Sequence, residues 1–122
     1  MGTKKKILIV DDEIGFLETA AAVFETKNYV VVKAITAEAG LEALSFERPD
    51  IVLLDVILPD KDGFEVLKII KASRDFKTVP VILITGDTTV DIDRAFKEGA
   101  DDCVFKPLDM EKLVAEIDKI VR

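Results

Sequence analysis

Five short apolar runs recur at similar intervals along this chain, and none alternates apolar with polar residues. They occupy residues 6–10, 29–32, 51–54, 81–84 and 103–105, and Val and Ile dominate them. A strand with one wet face alternates; an unbroken run rich in β-branched residues needs cover on both faces. That requirement points to a parallel sheet between two layers of helix. Helical spacing fills the intervals. Leu17, Ala20 and Phe24 share one face, as do Val66, Leu67 and Ile70, then Ile92, Ala95 and Phe96, and finally Met110, Leu113, Ile117 and Ile120. Residues 36–46 fit a helix less cleanly because Gly40 interrupts them. Asp62 and Glu65 have the spacing of a capping box for the third helix, and Asp109 stands where a cap would open the fifth. Five strand–helix repeats give a doubly wound α/β sandwich with right-handed crossovers. With 122 residues and no linker, repeat or low-complexity stretch, residues 1–122 read as a single domain.

Ligands of such sheets bind beyond the carboxyl ends of the strands, so the residues that end each strand matter most. The first run ends in Asp11 and Asp12, followed by Glu13; the third ends in Asp55, the fourth in Thr85-Gly86, the fifth in Lys106-Pro107. Only the second ends without a candidate. Parallel strands gather all of these on one edge. Clustered carboxylates repel one another and call for a hard cation, and Mg²⁺ suits oxygen ligands. In this arrangement Asp55 is the nucleophile that forms an acyl phosphate. Asp12 binds the metal directly, Asp11 through water, and the backbone carbonyl of Ile57 completes the shell. Lys106 pairs with phosphoryl oxygens, Thr85 donates a hydrogen bond to one, and Gly86 leaves space beside them. Each residue has a plainer reading alone. Asp11 or Asp12 can cap the first helix, Asp55 can be a turn residue, Thr85 a strand end, Lys106 a solvated lysine and Pro107 a strand stop. The joint reading rests on four separate strand ends carrying the right groups together.

Composition narrows the alternatives. There is no histidine, which removes His-ligated metals, His-assisted nucleophiles and phosphohistidine. The lone Cys103 excludes an internal disulfide and a cysteine-rich zinc site. A net charge of -7 disfavours direct nucleic-acid binding. The basic start, residues 1–6, reads as solubilising; the apolar stretch after it is too short for a signal-peptide core, and no run approaches the ~20 residues that span a bilayer. No membrane contact and a cytoplasmic location are expected. Glycine-rich dinucleotide and Walker-type loops are absent. Residues 59–63 faintly echo a calcium loop, but Leu58 and Ile69 stand where its first and last ligands belong.

These motifs together resemble the receiver domain of two-component response regulators: the apolar run into Asp11-Asp12-Glu13, Leu53-Leu54-Asp55 with Leu58-Pro59 and Asp62-Gly63, Thr85-Gly86, and Gly99-Ala100-Asp101-Asp102 leading to Lys106-Pro107. The resemblance runs from Ile7 to about Val121. It implies the flavodoxin-like three-layer sandwich with a five-stranded sheet in the order 2-1-3-4-5. It implies Mg²⁺-dependent phosphoryl transfer to Asp55 from a sensor histidine kinase or a histidine phosphotransfer protein, and a cis peptide before Pro107. It implies a switch in which Thr85 moves inward, an aromatic on the fifth strand follows, and the face of helix four, strand five and helix five changes its downstream protein target or effector domain. A homodimer formed on phosphorylation fits the same scheme.

One position departs from the pattern. Three residues before the conserved lysine the family usually has Tyr or Phe; here it is Cys103. Phe105 projects to the same side of the strand. Either Phe105 carries part of the output or the coupling is weak, and Cys103 is otherwise a small core hydrophobe. Ile57 and Asp87 are expected to flank the phosphoryl group, with apolar Ile57 slowing its hydrolysis. Two other functions remain open: an interaction module that never uses the pocket, and an aspartate-nucleophile phosphohydrolase. The hydrolases carry a second acid two residues after the nucleophile, where this chain has Ile57. The chain reads equally as a whole protein or as a receiver from a larger one.

Overall fold

The computed structural model describes residues 4–122. Of the basic start, residues 1–3 lie outside the described residues, and Lys4 and Lys5 are exposed. Five strands and five helices alternate: β1 Lys6–Val10, α1 Ile14–Thr26, β2 Val30–Ala34, α2 Ala37–Glu47, β3 Ile51–Asp55, α3 Gly63–Ala72, β4 Val81–Thr85, α4 Ile92–Lys97, β5 Asp102–Phe105 and α5 Met110–Val121. All neighbouring strands are parallel, in the order β2-β1-β3-β4-β5.

Two cores explain the unbroken apolar runs. Leu8, Val10, Val52, Leu54, Val81 and Leu83 point to one face, where Leu44 of α2 and Phe64, Leu67 and Ile70 of α3 cover them. Their sequence neighbours Ile7, Ile9, Ile51, Leu53, Ile82 and Ile84 point to the other, under Leu17 and Phe24 of α1 and Leu113 and Ile117 of α5. The three inner strands are thus apolar on both sides, as a doubly covered sheet requires. The edge strands β2 and β5 are only partly covered.

Local signals hold with three differences. Asp109 caps α5 by accepting from the Lys112 amide, as its position predicts. Asp62 caps α3 through the Phe64 amide at 2.7 Å, whereas the reciprocal bond of a full capping box, from the Asp62 amide to the Glu65 carboxylate, is not formed among the described residues. Gly40 lies inside α2 because α2 crosses β1 there: a Cβ would stand 2.9 Å from a Val10 methyl. Its apparent weakness as a helix residue is a packing requirement. The face expected for Ile92, Ala95 and Phe96 is buried only at Ala95; α4 has six residues, and Ile92 and Phe96 are exposed.

Gly63 opens α3 directly against the strand that carries Asp55. Its amide donates to the Val56 carbonyl at 2.7 Å, and a Cβ would collide with the Asp55 carbonyl oxygen and stand 2.6 Å from Val56 Cα. Backbone cannot yield as a side-chain tip does. Gly63→Ala should therefore lower stability by about 1–3 kcal/mol in urea unfolding. Gly15→Ala in α1, where a Cβ meets nothing within 4 Å, should be neutral or slightly stabilising. Equal midpoints for the two variants would refute this account of Gly63.

Candidate functional site

The strand register sets the site. Val10 pairs with Leu54, Asp55 with Ile84, and Thr85 with Phe105. The residues that leave or end β1, β3, β4 and β5 therefore emerge on one edge: Asp11, Asp55, Thr85 and Lys106. Backbone bonds fix the exits, with Asp11 N donating to Ala34 O at 3.0 Å and Lys106 N to Thr85 O at 2.8 Å. The Lys106–Pro107 peptide is cis.

Asp11, Asp55 and Thr85 are the buried polar side chains among the described residues. One carboxylate oxygen from each of Asp11, Asp12 and Asp55 lies within 4.8 Å of the other two, with Asp12 exposed at the mouth. Asp11 does not cap α1; the N-cap is Glu13, and Asp11 Oδ1 accepts from the Glu13 amide at 2.8 Å. Asp11 Oδ2 accepts no well-directed hydrogen bond, and its countercharge is Lys106 Nζ at 2.8 Å. Asp55 Oδ1 accepts from the Ile57 amide at 3.0 Å, and Oδ2 lies 3.4 Å from Lys106 Nζ. Three hard oxygen donors, one of them buried and poorly satisfied, are the donor set that Mg²⁺ takes.

Lys106 meets three carboxylates, Asp11, Asp55 and Glu13, the last at 2.5 Å. Its ammonium also stands 4.6 Å from the centre of the Phe16 ring. Burial by itself lowers a lysine pKa, but the close carboxylates of Asp11 and Glu13 and the charge of Asp55 outweigh it and hold Lys106 above the ordinary lysine range. For Asp55 burial dominates and raises its pKa; the Ile57 amide opposes that, Asp11 adds to it, and Lys106 opposes it. The Thr85 hydroxyl accepts from the Asp87 amide at 3.0 Å, so its own proton is available to a ligand. An added Cβ at Gly86 meets nothing within 4 Å, consistent with open space at the mouth.

Ile57 and Asp87 line one cleft of about 520 Å³ beside this edge. The Ile57 side chain is 59% exposed, and Asp87 is committed to the Thr89 hydroxyl and amide, which lower its pKa. Cys103 is buried in the core with Leu83, Ala95 and Ala100. Burial, then the Asp102 charge, push its thiol above the usual range, so it behaves as a hydrophobe. Phe105 is half-buried at the end of β5.

Three contacts escape a reading of the sequence. Glu13 and Phe16 hold Lys106 from α1, although Glu13 directly follows the aspartate pair. Asp60 binds the first amides of α2, Ala37 N at 2.8 Å and Glu38 N at 3.0 Å, which lowers its pKa. Arg94 of α4 stacks 4.0 Å over the Phe64 ring of α3, while Glu98 takes Arg94 Nε at 2.9 Å and Lys68 Nζ at 3.3 Å. Only Arg94 and Glu98, four apart on one helix, leave a local signal.

Comparison with known proteins agrees with this geometry. The family described as "Response regulator receiver domain" matches residues 7–118. The regulatory protein VanR of Enterococcus faecium is 37% identical over 96% of this chain and 50% of its own length. The transcriptional regulatory protein CseB of Streptomyces coelicolor is 36% identical over 100% of this chain and 51% of its own. The chain thus spans about half the length of these curated relatives. Among solved structures, a CheY-like receiver domain protein from Methanospirillum hungatei superposes with a TM-score of 0.88 at 30% identity, covering 97% of this chain and 94% of that one. The BeF3-activated N-terminal receiver domain of RstA from Klebsiella pneumoniae gives 0.88 at 27% identity, covering 97% and 99%.

A raised carboxyl pKa means that ionising Asp55 opposes folding. Its contribution is favourable below the unfolded-state pKa and is lost as pH rises through the folded value. A neutral isostere removes that loss. In chelator at pH 7.5, Asp55→Asn should therefore melt above the wild type, with the gap narrowing as the pH falls. A variant melting below the wild type at pH 7.5 would contradict the assignment.

Proposed function

The chain belongs to the response regulator receiver domain family, and from that premise we propose that Asp55 accepts a phosphoryl group from a histidine of a sensor kinase or phosphotransfer protein. The observation that carries this reading is the meeting of Asp11, Asp12 and Asp55 oxygens within 4.8 Å beside Lys106 and the buried Thr85.

Asp12 and Asp55 would hold Mg²⁺, with Asp11 through water and the Ile57 carbonyl as further oxygens. Bound there, Mg²⁺ supplies the positive charge that lets an anionic carboxylate meet an anionic phosphoryl group. An Asp55 oxygen bonds to phosphorus as the phosphorus–nitrogen bond of the donor breaks. The departing imidazole keeps the bonding pair and is protonated from solvent. Lys106 pairs with one phosphoryl oxygen and the Thr85 hydroxyl donates to another. The protein positions groups and neutralises charge, and performs no turnover of its own beyond slow loss of the phosphoryl group. Ile57 stands where the hydrolases carry their second acid, and its exposed apolar side chain hinders water at the mouth.

The output runs from Thr85 to its register partner Phe105. Cys103 lies buried behind α4 and takes a packing role. The domain's net charge of -7 turns nucleic acid away. One relative is the DNA-binding response regulator MtrA of Mycobacterium leprae, 32% identical over 93% of this chain and 50% of its own length; in a protein built that way, DNA contact falls to the other half. No helix among the described residues is long and apolar enough to cross a membrane, and a cytoplasmic partnership with a kinase fits.

With Mg²⁺ and a small acyl phosphate donor, intact mass should show one added phosphoryl group. Asp55→Asn or chelator should abolish it, and labelling that persists in either sinks the reading. In the same assay Ile57→Asn should shed the group several-fold faster than the wild type. Amide exchange of α4 and α5 should change on phosphorylation, and Phe105→Ala should blunt the change while Cys103→Ala preserves it. An unchanged response in both variants would remove β5 from the output route.

A further inference from the structure

Lys106 is the resident cation of a pocket that a metal ion must also use. Its ammonium lies 2.8 Å from Asp11 Oδ2 and 3.4 Å from Asp55 Oδ2. Those residues supply two of the three clustered carboxylates. A divalent cation held by Asp12 and Asp55, with Asp11 through water, would therefore compete with Lys106 for the negative charge of Asp11 and Asp55, and the two cations would repel one another across the shared carboxylates. Driving the ammonium into water would forfeit its hydrogen bonds, and its side chain is only 14% exposed.

Residues outside the carboxylate cluster offer the ammonium a second seat. Glu13 Oε1 is 2.5 Å from Nζ, and the Phe16 ring centre is 4.6 Å away. Both residues belong to the start of α1, three apart, and neither is part of the carboxylate cluster. Glu13 is 63% exposed where Asp11 is fully buried, so an ammonium leaning toward Glu13 moves toward solvent. Glu13, Phe16, Lys106 and Pro107 also line a groove of about 530 Å³, which gives the side chain room to shift.

Building on the reading of the pocket as a Mg²⁺ site, we infer that Glu13, with the Phe16 ring, is a positioning residue: it holds the Lys106 ammonium when Mg²⁺ on Asp12 and Asp55 draws on the charge of Asp11 and Asp55, and keeps it poised for the incoming phosphoryl oxygens. Glu13 acts through Lys106 and binds no metal itself. The inference separates cleanly from a plain effect of charge. A distant carboxylate attracts Mg²⁺ whether or not Lys106 is present, and Asp serves in place of Glu. A seat for the ammonium matters only when Lys106 is there and only when the carboxylate reaches it.

The experiment is a Mg²⁺ titration of the unphosphorylated protein, followed by the backbone amide shifts of Asp12 and Ile57 at physiological ionic strength. In the wild type, Glu13→Gln should raise the Mg²⁺ dissociation constant about threefold to fivefold, the scale of a partly exposed ion pair. Glu13→Asp, one methylene short, should behave like Glu13→Gln. In a Lys106→Met background, Glu13→Gln should leave the constant unchanged. The same fold-change in both backgrounds, or Glu13→Asp matching the wild type, overturns the inference and leaves the phosphoacceptor reading standing. Should Lys106→Met fail to fold, the comparison of Glu13→Asp with Glu13→Gln decides alone. A wild type whose amides do not respond to Mg²⁺ overturns the metal site and this inference together, and phosphoryl labelling by mass tells that outcome apart.

Discussion

Everything at the functional edge depends on one ammonium group among buried carboxylates. The parallel sheet forces Asp11 and Asp55 together, because both leave neighbouring strands at the same level. Two adjacent carboxylates, one fully buried, are a costly arrangement without a countercharge. Lys106 supplies it from β5, the far edge of the sheet. The compensation is partial: Asp11 Oδ2 lacks a directed hydrogen bond and Asp55 retains a raised pKa. A pocket left in this condition has negative charge still to be compensated.

The rest of the fold keeps that edge in register. Helix α3 begins where Gly63 abuts the Asp55 backbone, and Phe64, the next residue, packs in the core while its ring carries the Arg94 guanidinium. Helix α4 is short, lightly buried and tied to α3 by Arg94, Glu98 and Lys68. The element with least of its own burial is thus attached to the one that starts at the loop after Asp55. Low local burial is what a moving element requires.

The inner architecture was legible because it follows from period and topology. Unbroken Val- and Ile-rich runs demand two covered faces, and parallel strands send their carboxyl ends one way. Asp11, Asp55, Thr85 and Lys106 could therefore be placed together from strand ends alone. What stayed hidden depends on distances across the fold. Gly40 looked like a flaw in a helix because its reason, Val10, is 30 residues earlier. Glu13 followed the aspartate pair without a partner of its own because Lys106 returns to it only after four further strands. Ile92 and Phe96 have the right spacing for a buried face, but spacing does not say how much sheet remains to be covered at an edge. Asp60 belonged to a rejected calcium loop and proved to serve another helix.

That last contact has a use. Asp60 lies on the loop after Asp55, yet its carboxylate receives the Ala37 and Glu38 amides at the start of α2, which carry the positive end of that helix. Asp60 is not one of the clustered carboxylates of the pocket. The two amide hydrogens are thus built-in gauges of the posture of the loop that leaves Asp55.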